Sequence, residues 1–340
     1  MGQTIVEHGG RPDMPVFSSR GPKCIHLRPG PSIHQRRILL LLLEGFDFLL
    51  RRSARPGRLL IRLQHLSRRM SGMRTRRMKS GNILWPYLDG GKGVPVVLLH
   101  GYGADKDRFG SLVPFLRRYH RVIIPDIPGF GDHLPDWSLS YGIDDQVERL
   151  HGFLDAIGLH RFHILGLSLG GYMAGVYAAR FPRQIRTLAL MDSAGFRAPV
   201  ASDAQRLFES GGRNIFLYSN ERELQELMDF LLFHPVTLPT ALRRYWTRQG
   251  ISRKAWRTKL FDDFLSGGVD RLDQLAPSIQ APTLVVWGSD DRICHVSTVD
   301  RILSLIKNCK ACIIHGCGHI PMVEYPVLFR QLYLTFLRRS

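Results

Sequence analysis

The sequence predicts an α/β fold: a doubly wound, mostly parallel sheet with a helical cap, or lid, insertion and a basic N-terminal extension. The main observation is a series of short apolar runs with helical stretches such as 144–157 between them. The runs lie at 94–100, 121–125, 161–167, 186–191, 282–287 and 311–315. Strands that are apolar along their whole length and alternate with helices are typical of a parallel sheet that is covered on both faces. A second observation is a glycine-rich turn that joins one of these strands to a helix.

That turn, Gly166–Gly170, reads Gly-Leu-Ser-Leu-Gly and has Ser168 at its centre. A G-x-S-x-G sequence between a strand and a helix is typical of a nucleophile elbow, a sharp turn that projects a serine hydroxyl above the sheet. Glycines flank the serine because the turn is tight and neighbouring backbone passes close by. We therefore expect Ser168 to be a nucleophile.

Two later strand ends supply the groups that a serine nucleophile needs. The hydroxyl requires a base to take its proton, and the base requires a third group to orient it. Asp290 and Asp291 follow the run at 282–287, and His319 follows the last run in a loop bounded by glycine and proline. Each residue alone has an ordinary structural explanation. Three strand-end positions in the order Ser168, Asp291, His319 favour a catalytic triad.

An oxyanion hole is also indicated by the sequence. The apolar run at 94–100 is followed by Gly101, Tyr102 and Gly103. Backbone N–H groups hold the negative oxygen in acyl transfer, so exposure of the backbone matters more than residue type. We expect the two donors to be the N–H groups of Tyr102 and of Leu169, the residue after the nucleophile.

Together these motifs resemble those of the α/β-hydrolase superfamily of serine hydrolases. In chain order they are His100-Gly101-Tyr102-Gly103, Asp126-Ile127-Pro128-Gly129-Phe130-Gly131, Gly166-Leu167-Ser168-Leu169-Gly170-Gly171, Trp287-Gly288-Ser289-Asp290-Asp291 and Gly318-His319-Ile320-Pro321. Within the superfamily, residues 143–194 are similar to membrane-associated monoacylglycerol lipases and to related bacterial lipases and esterases. The resemblance implies that the acid is Asp291 and not Asp290. Asp132 and His133 stand where many members carry a serine, so the chain departs from the family at the rim of the pocket.

The residues and the resemblance together predict a serine hydrolase of carboxylic esters that needs no metal and no other cofactor. A lipophilic ester substrate is implied by the resemblance and favoured by the extension described below. Two alternatives stay open. One is hydrolysis of a carbon–carbon bond in dienoate ring-cleavage products on the same triad. The other is a non-catalytic scaffold at a membrane surface, against which the complete triad argues.

Positive charge is concentrated at the N-terminus. The chain has a formal net charge of +18, and residues 1–80 carry 17 Lys and Arg against 4 Asp and Glu. Residues 81–340 carry 30 against 25. Because the balance of this second part is nearly ordinary, we expect no nucleic-acid partner.

The extension divides into two parts by composition. Residues 1–35 are rich in Gly, Pro, Ser and Arg, which predicts disorder. Residues 36–80 combine leucine-rich runs with paired arginines, which predicts one or two basic amphipathic helices on an anionic membrane surface. The alternatives are that residues 36–79 pack on the hydrolase domain at 81–340, that they are a targeting segment, or that translation starts near Met70 or Met73. We expect a cytoplasmic protein that is peripheral to the inner or cytoplasmic membrane.

Three of the five cysteines raise the question of a zinc site, because Cys309, Cys312 and Cys317 lie near His315 and His319 in the sequence. Side chains along a strand alternate between its two faces, so we expect these not to converge on one point. Reduced, mostly buried thiols are the favoured interpretation, and they fit a protein that faces the cytoplasm.

The interval at about 195–275 is longer than one crossover helix and is therefore interpreted as the cap. Within it a helical stripe follows the i, i+3, i+4, i+7, i+8 spacing, with Asn220 as its N-cap. The stripe consists of Leu224, Leu227, Met228, Leu231 and Leu232. Docking of the cap on the core is the commoner use of such a stripe, so these residues are not assigned to substrate binding.

Overall fold

A ten-stranded mixed sheet lies at the centre of the protein, as seen in a computed structural model that describes residues 4–8, 23–29 and 56–339. The strands are β1 (Thr4–His8), β2 (Cys24–Pro29), β3 (Arg74–Ser80), β4 (Ile83–Gly90), β5 (Pro95–Leu99), β6 (Arg121–Pro125), β7 (Phe162–Leu167), β8 (Ile185–Met191), β9 (Thr283–Gly288) and β10 (Cys309–Ile314). Across the sheet their order is β1-β2-β10-β9-β8-β7-β5-β6-β4-β3. Neighbouring strands run parallel except β4, which is antiparallel to both β3 and β6. The prediction of a mostly parallel sheet is confirmed.

Helices cover both faces of this sheet. They are α1 (Pro56–Met70), α2 (Val113–Leu116), α3 (Ile143–Ala156), α4 (Leu169–Arg180), α5 (Asp203–Glu209), α6 (Glu221–Leu231), α7 (Thr240–Ser252), α8 (Lys254–Ser266), α9 (Leu272–Leu275), α10 (Thr298–Leu305), α11 (Pro321–Glu324) and α12 (Pro326–Arg338). Short 3₁₀ helices lie at Lys106–Phe109, Pro182–Gln184 and Ala276–Ser278. Among the described helices we find none with the length and apolar character that crossing a membrane requires.

Two apolar cores form because successive residues of each buried strand point to opposite faces. On β5, Val97 and Leu99 pack in the core that α3, α4 and α10 cover. Val96 and Leu98 pack in the core that α2 and α12 cover. This is why the central strands are apolar at every position, which is the pattern that predicted them.

Two segments of the N-terminal extension form strands, which corrects the expectation that residues 1–35 are disordered. In β2, Ile25 and Leu27 are buried and alternate with His26 and Arg28. β2 pairs in parallel with β10, and β1 pairs with β2. The physical reason is that β10 would otherwise present an open edge with unpaired backbone groups, and β2 covers it. The remaining residues of 1–35 lie outside the described parts of the chain.

The predicted helical segment at 36–80 is helical only in part. Residues 36–55 lie outside the described residues, and α1 is helical as expected. Residues 74–80, however, form β3, because Gly81 and Asn82 make a two-residue hairpin turn that pairs Ser80 with Ile83. Gly81 has φ +56°, a conformation that suits glycine in such turns. The sheet therefore begins before residue 81.

The cap consists of α5 to α9, which follow β8 and precede β9. Asn220 caps α6 as predicted, since its side chain accepts a hydrogen bond from Glu223 N–H. On α6, Leu224 and Leu227 are buried in a separate apolar cluster with Tyr218. Ile293, from the loop after β9, packs against the same cluster, so the cap lies over the carboxyl ends of the strands.

Candidate active site

Ser168 lies on a sharp turn between β7 and α4. Its φ of 54° and ψ of −117° are unusual for a residue with a side chain, and strain of this kind clusters at active sites. The flanking glycines are required by close approach: a Cβ on Gly166 would lie 2.0 Å from Gly170 O, and one on Gly170 would lie 2.2 Å from Leu99 O. The local geometry is that of a nucleophile elbow, as the sequence indicated.

His319 and Asp291 are joined by a hydrogen bond of 2.8 Å between Nδ1 and Oδ2, and both side chains are buried. Since the carboxylate accepts, Nδ1 carries the proton and Nε2 is left as the basic nitrogen. Asp291 Oδ1 accepts from the N–H groups of Ile293 at 2.8 Å and Cys294 at 3.0 Å. Within the described residues no hydrogen bond joins Ser168 Oγ to His319. Such contacts are often long before substrate binds.

The adjacent residue Asp290 lies elsewhere. Its side chain is exposed and accepts from Ser289 Oγ at 2.5 Å. The loop after β9 therefore brings Asp291, and not Asp290, to His319.

Tyr102 and Leu169, whose N–H groups are predicted to form the oxyanion hole, each follow a residue at or next to the nucleophile. Gly101 comes so close to Ser168 that a Cβ on it would lie 3.3 Å from Ser168 Cβ. Leu169 is the first residue of α4, where N–H groups lack an intrahelical partner. Neither N–H donates to another backbone group among the described residues, so both are available to a substrate oxygen.

His100 and Lys106 brace the loop that carries Tyr102, and sequence reasoning assigned them no such role. His100 Nε2 accepts from Ile127 N–H at 3.0 Å, and burial lowers the pKa of this imidazole. Lys106 is buried, and its Nζ lies 2.6 Å from both Asp126 Oδ2 and Asp132 Oδ2. Asp132, where the chain departs from the family pattern, is therefore an ion-pair partner of this lysine.

Glu324 on α11 holds the loop that carries His319. Its carboxylate accepts from the N–H groups of Gly318 at 2.5 Å, Phe233 at 2.8 Å and His234 at 3.2 Å. Burial raises the pKa of Glu324. His319 N–H also donates to Leu231 O at 2.9 Å, which ties the same loop to the end of α6. Nothing in the sequence pattern pointed to Glu324, because its partners come from distant parts of the chain.

Aromatic residues, two of them from the cap, pack against Tyr102. Tyr102 lies in the loop at 101–103 that is predicted to form the oxyanion hole, called the oxyanion loop below. The ring centroid of Tyr102 lies 5.2 Å from Phe130, 5.3 Å from Phe216 and 5.7 Å from Phe261. The Tyr102 hydroxyl donates to Arg257 O on α8 at 2.5 Å. Tyr102 is thus surrounded by apolar rings, two of which come from the cap.

The cysteines do not gather into a zinc site of the kind considered from the sequence. Cys309 and Cys312 pack in the two different cores, on opposite faces of β10. Single ligand atoms of Asp291, Cys294 and His319 do lie within 4.8 Å of one another. Because Asp291 and His319 already bond to each other, we interpret Cys294 as a thiol that packs beside this pair. Burial and the charge of Asp291 raise the pKa of this thiol well above its usual value, so it stays protonated.

Comparisons with known proteins identify the family to which this fold belongs. The family model described as alpha/beta hydrolase fold matches residues 94–326. Lipase 3 of Moraxella sp. (strain TA144) is 32% identical over 236 residues, which are 68% of this chain and 73% of that lipase. Monoacylglycerol lipase ABHD6 of Homo sapiens is 30% identical over 251 residues, or 71% of this chain and 74% of that enzyme. The crystal structure of a membrane phospholipase A, a bacterial virulence factor, is similar with a TM-score of 0.80 and 33% identity, covering 89% of this chain and 98% of that one.

Proposed function

The chain belongs to the α/β-hydrolase family and is an ester-hydrolysing enzyme, and on that premise we propose that Ser168, His319 and Asp291 form its catalytic triad. The observation that carries the proposal is the buried 2.8 Å hydrogen bond between His319 and Asp291 beside the elbow at Ser168. A buried imidazole with one nitrogen fixed by a carboxylate is a general base in the required tautomer.

The reaction proceeds in two halves. Ser168 Oγ attacks the ester carbonyl while His319 Nε2 takes its proton, and the carbonyl electrons move to oxygen. The N–H groups of Tyr102 and Leu169 hold that oxyanion, and Asp291 stabilises the imidazolium. The tetrahedral intermediate expels the alcohol, to which His319 returns the proton. Water then attacks the acyl-enzyme by the same route and releases the acid and the free serine.

The proposed substrates are lipophilic esters of the monoacylglycerol type. Supporting this, the rings of Tyr102, Phe216 and Phe261 form an apolar wall beside the oxyanion loop. Apolar pockets with a small number of placed polar groups are typical of sites for apolar ligands. The names of the relatives, a lipase and a monoacylglycerol lipase, point in the same direction.

We further propose that α1 binds an anionic membrane surface. Leu59, Leu63, Leu66 and Met70 lie at i, i+4, i+7 and i+11, so they share one side of the helix. Leu66 is 53% exposed and Met70 is 78% exposed, which means that this stripe faces away from the core. With Pro114 and other residues it lines a groove of about 370 Å³.

Basic side chains accompany this stripe. Arg62 and Arg69 are exposed on α1 next to the apolar side, whereas Arg68 is buried on the other side. Arginines that flank an exposed apolar stripe are typical of a helix that lies in the headgroup region of anionic bilayers. The proposal places the enzyme at the periphery of a membrane, close to lipid substrates.

The hydrolytic proposal is tested with a fluorophosphonate probe and a substrate series. Wild-type protein should be labelled, and Ser168→Ala should not be. Hydrolysis rates are then compared across p-nitrophenyl esters and monoacylglycerols of graded chain length, beside a dienoate. Labelling that survives in Ser168→Ala refutes the nucleophile. Faster turnover of the dienoate than of every ester would favour carbon–carbon bond hydrolysis, and a protein that is neither labelled nor active would favour the scaffold.

A further inference from the structure

Asp192, the residue after β8, has an unusual backbone and is fully buried. Of the described residues other than glycine, two have a positive φ: Ser168 and Asp192, the latter with φ 43°. Asp192 is 0% exposed. A strained backbone conformation is retained only where the surrounding contacts hold it in place, and such conformations are common at functional sites. A buried acid in this conformation therefore calls for a physical explanation.

Only one oxygen of the Asp192 carboxylate has a donor. Oδ1 accepts from Gly288 N–H at 2.9 Å. Oδ2 is buried and has no hydrogen-bond donor among the described residues. A buried carboxylate oxygen without a donor is costly, whereas a protonated oxygen becomes a donor itself and needs an acceptor. Gly288 is the last residue of β9 and lies three residues before Asp291, so the Asp192 carboxylate sits at the start of the loop that carries Asp291.

Asp291 has a site for that proton. An ionised carboxylate has about four lone-pair positions. Among the described residues three are filled: Oδ1 accepts from Ile293 and Cys294, and Oδ2 accepts from His319. One lone-pair position of Asp291 is left. A neighbouring carboxyl group can donate a hydrogen bond to it only if that group is protonated.

The groups around Asp192 favour its neutral form. They are Asp291 and Cys294 after β9, Cys317 after β10 and Glu324 on α11, which are acids or thiols. Two neighbouring carboxylates in a buried site do not both ionise. Burial and the charge of Asp291 raise the pKa of Asp192 well above its usual value.

We propose that Asp192 is a positioning residue of the triad: it stays protonated at neutral pH and donates from Oδ2 to Asp291, which fills the fourth position of that carboxylate. The inference rests on the proposed function. No proton is transferred in this interaction. It fixes the carboxylate that orients His319, and it withdraws negative charge from that carboxylate.

The test compares Asp192→Asn and Asp192→Gly in the full-length protein with a short p-nitrophenyl ester as substrate. Asparagine tolerates the positive φ and offers a neutral donor of the same shape, while glycine removes the side chain without backbone strain. Asp192→Asn should retain kcat and the acidic limb of the kcat/KM profile. Asp192→Gly should lower kcat by about tenfold to a hundredfold, the worth of a hydrogen bond to a charged group. Its acidic limb should move to higher pH, because the carboxylate of Asp291 then holds the imidazolium more strongly.

Three results overturn the inference. If the acidic limb of Asp192→Asn moves to lower pH by about one unit, a negative charge has been removed and the wild-type acid was ionised. If the glycine variant keeps both kcat and the profile, Asp192 does not act on the triad. If the glycine variant loses kcat but keeps the wild-type pH profile of kcat/KM, and the asparagine variant behaves like the wild type, the role of Asp192 is structural. Failure of the proposed function is distinguishable, since the wild type would then show no Ser168-dependent labelling. Should the glycine variant not fold, the profile of Asp192→Asn decides.

Discussion

Arg68 on α1 and Asp107, in the 3₁₀ helix that follows the oxyanion loop, form a bidentate ion pair. Arg68 Nε lies 2.7 Å from Asp107 Oδ1, and the NH2 nitrogen lies 2.5 Å from Oδ2. The side chains are 9% and 21% exposed. Because Lys106, the neighbour of Asp107, braces the oxyanion loop, this pair connects the helix proposed to contact lipid with the loop that carries Tyr102.

Removal of the guanidinium should destabilise the fold. Arg68→Met keeps most of the apolar stem but leaves Asp107 without its partner, and we expect a loss of about 1–3 kcal/mol in the free energy of unfolding, less than for a fully buried pair because water reaches Asp107. Urea unfolding measures this value. Asp107→Asn and the double variant complete a double-mutant cycle with Arg68→Met. If the losses of the two single variants add up to the loss of the double variant, the ion pair contributes nothing to stability.

The two adjacent acids after β9 should behave very differently. Asp291→Asn should lower kcat by about four powers of ten, because the amide stabilises the wrong tautomer of His319. Asp290→Asn should leave kcat nearly unchanged, since Asp290 is exposed and bonds to Ser289. Steady-state kinetics on a soluble ester measures both. Equal losses in the two variants would contradict the assignment of the acid.

Charge placed on the outward stripe of α1 should release the protein from membranes. Leu66→Glu combined with Met70→Glu removes two apolar side chains that we place in the lipid interface, and binding to vesicles with anionic lipid should weaken by about a hundredfold. Hydrolysis of a short soluble ester should not change. Flotation of vesicles with the bound protein measures the partition.

Ile61→Glu is the matched control for this experiment. Ile61 is 49% exposed on the same helix but lies on the opposite side from the stripe. It should keep membrane binding, apart from the small effect of one added charge. Equal release by both variants would argue for a general charge effect instead of a defined lipid-contacting side. Deletion of residues 1–79 is a poorer test, because it would also remove β2 and most of β3 from the sheet.

Stability should fall in mild acid partly through His163 on β7. Its Nδ1 lies 2.8 Å from Thr187 Oγ1, and burial lowers its pKa from 6.5 to about 4. As the pH falls below 6.5, His163 therefore binds a proton in the unfolded chain but not in the folded chain. Between pH 7 and pH 5 this difference amounts to a loss of about 2 kcal/mol. His163→Gln can keep a hydrogen bond to Thr187 and does not titrate. Between pH 7 and pH 5 the free energy of unfolding of this variant should therefore fall by about 2 kcal/mol less than that of the wild type. Identical pH dependence in the two proteins would contradict a neutral buried His163.

The central sheet and the elbow were predictable because each leaves a local signature. Strands buried on both faces are apolar throughout, and the glycines around Ser168 are dictated by backbone contacts within a few residues. The position of β3 was missed because its sequence, Arg74–Ser80, is polar and basic. Its strand conformation comes from the turn at Gly81 and from pairing with β4. β2 was missed for a similar reason, since its partner β10 is nearly 300 residues away in the chain.

The supporting residues of the site were less visible than the triad. Glu324 accepts hydrogen bonds from distant parts of the chain, and Asp192 is proposed to act on a residue of another loop, whereas a single acid in a sequence carries no sign of burial. From the sequence, Asp291 could be distinguished from Asp290 through the resemblance and the G-x-x-D spacing. The structure now separates them, because the loop after β9 turns one side chain inward and the other toward solvent.

The pairing of β2 with β10 has a consequence for biosynthesis. Ile25 pairs with Cys312, and Leu27 pairs with Ile314. β2 leaves the ribosome nearly 300 residues before its partner, so at about 5–20 residues per second roughly 15–60 s pass between them. During that time the backbone of β2 has no strand to join, and the edge that it will cover does not yet exist. Pairing of β2 with the sheet must therefore wait until β10 has been made.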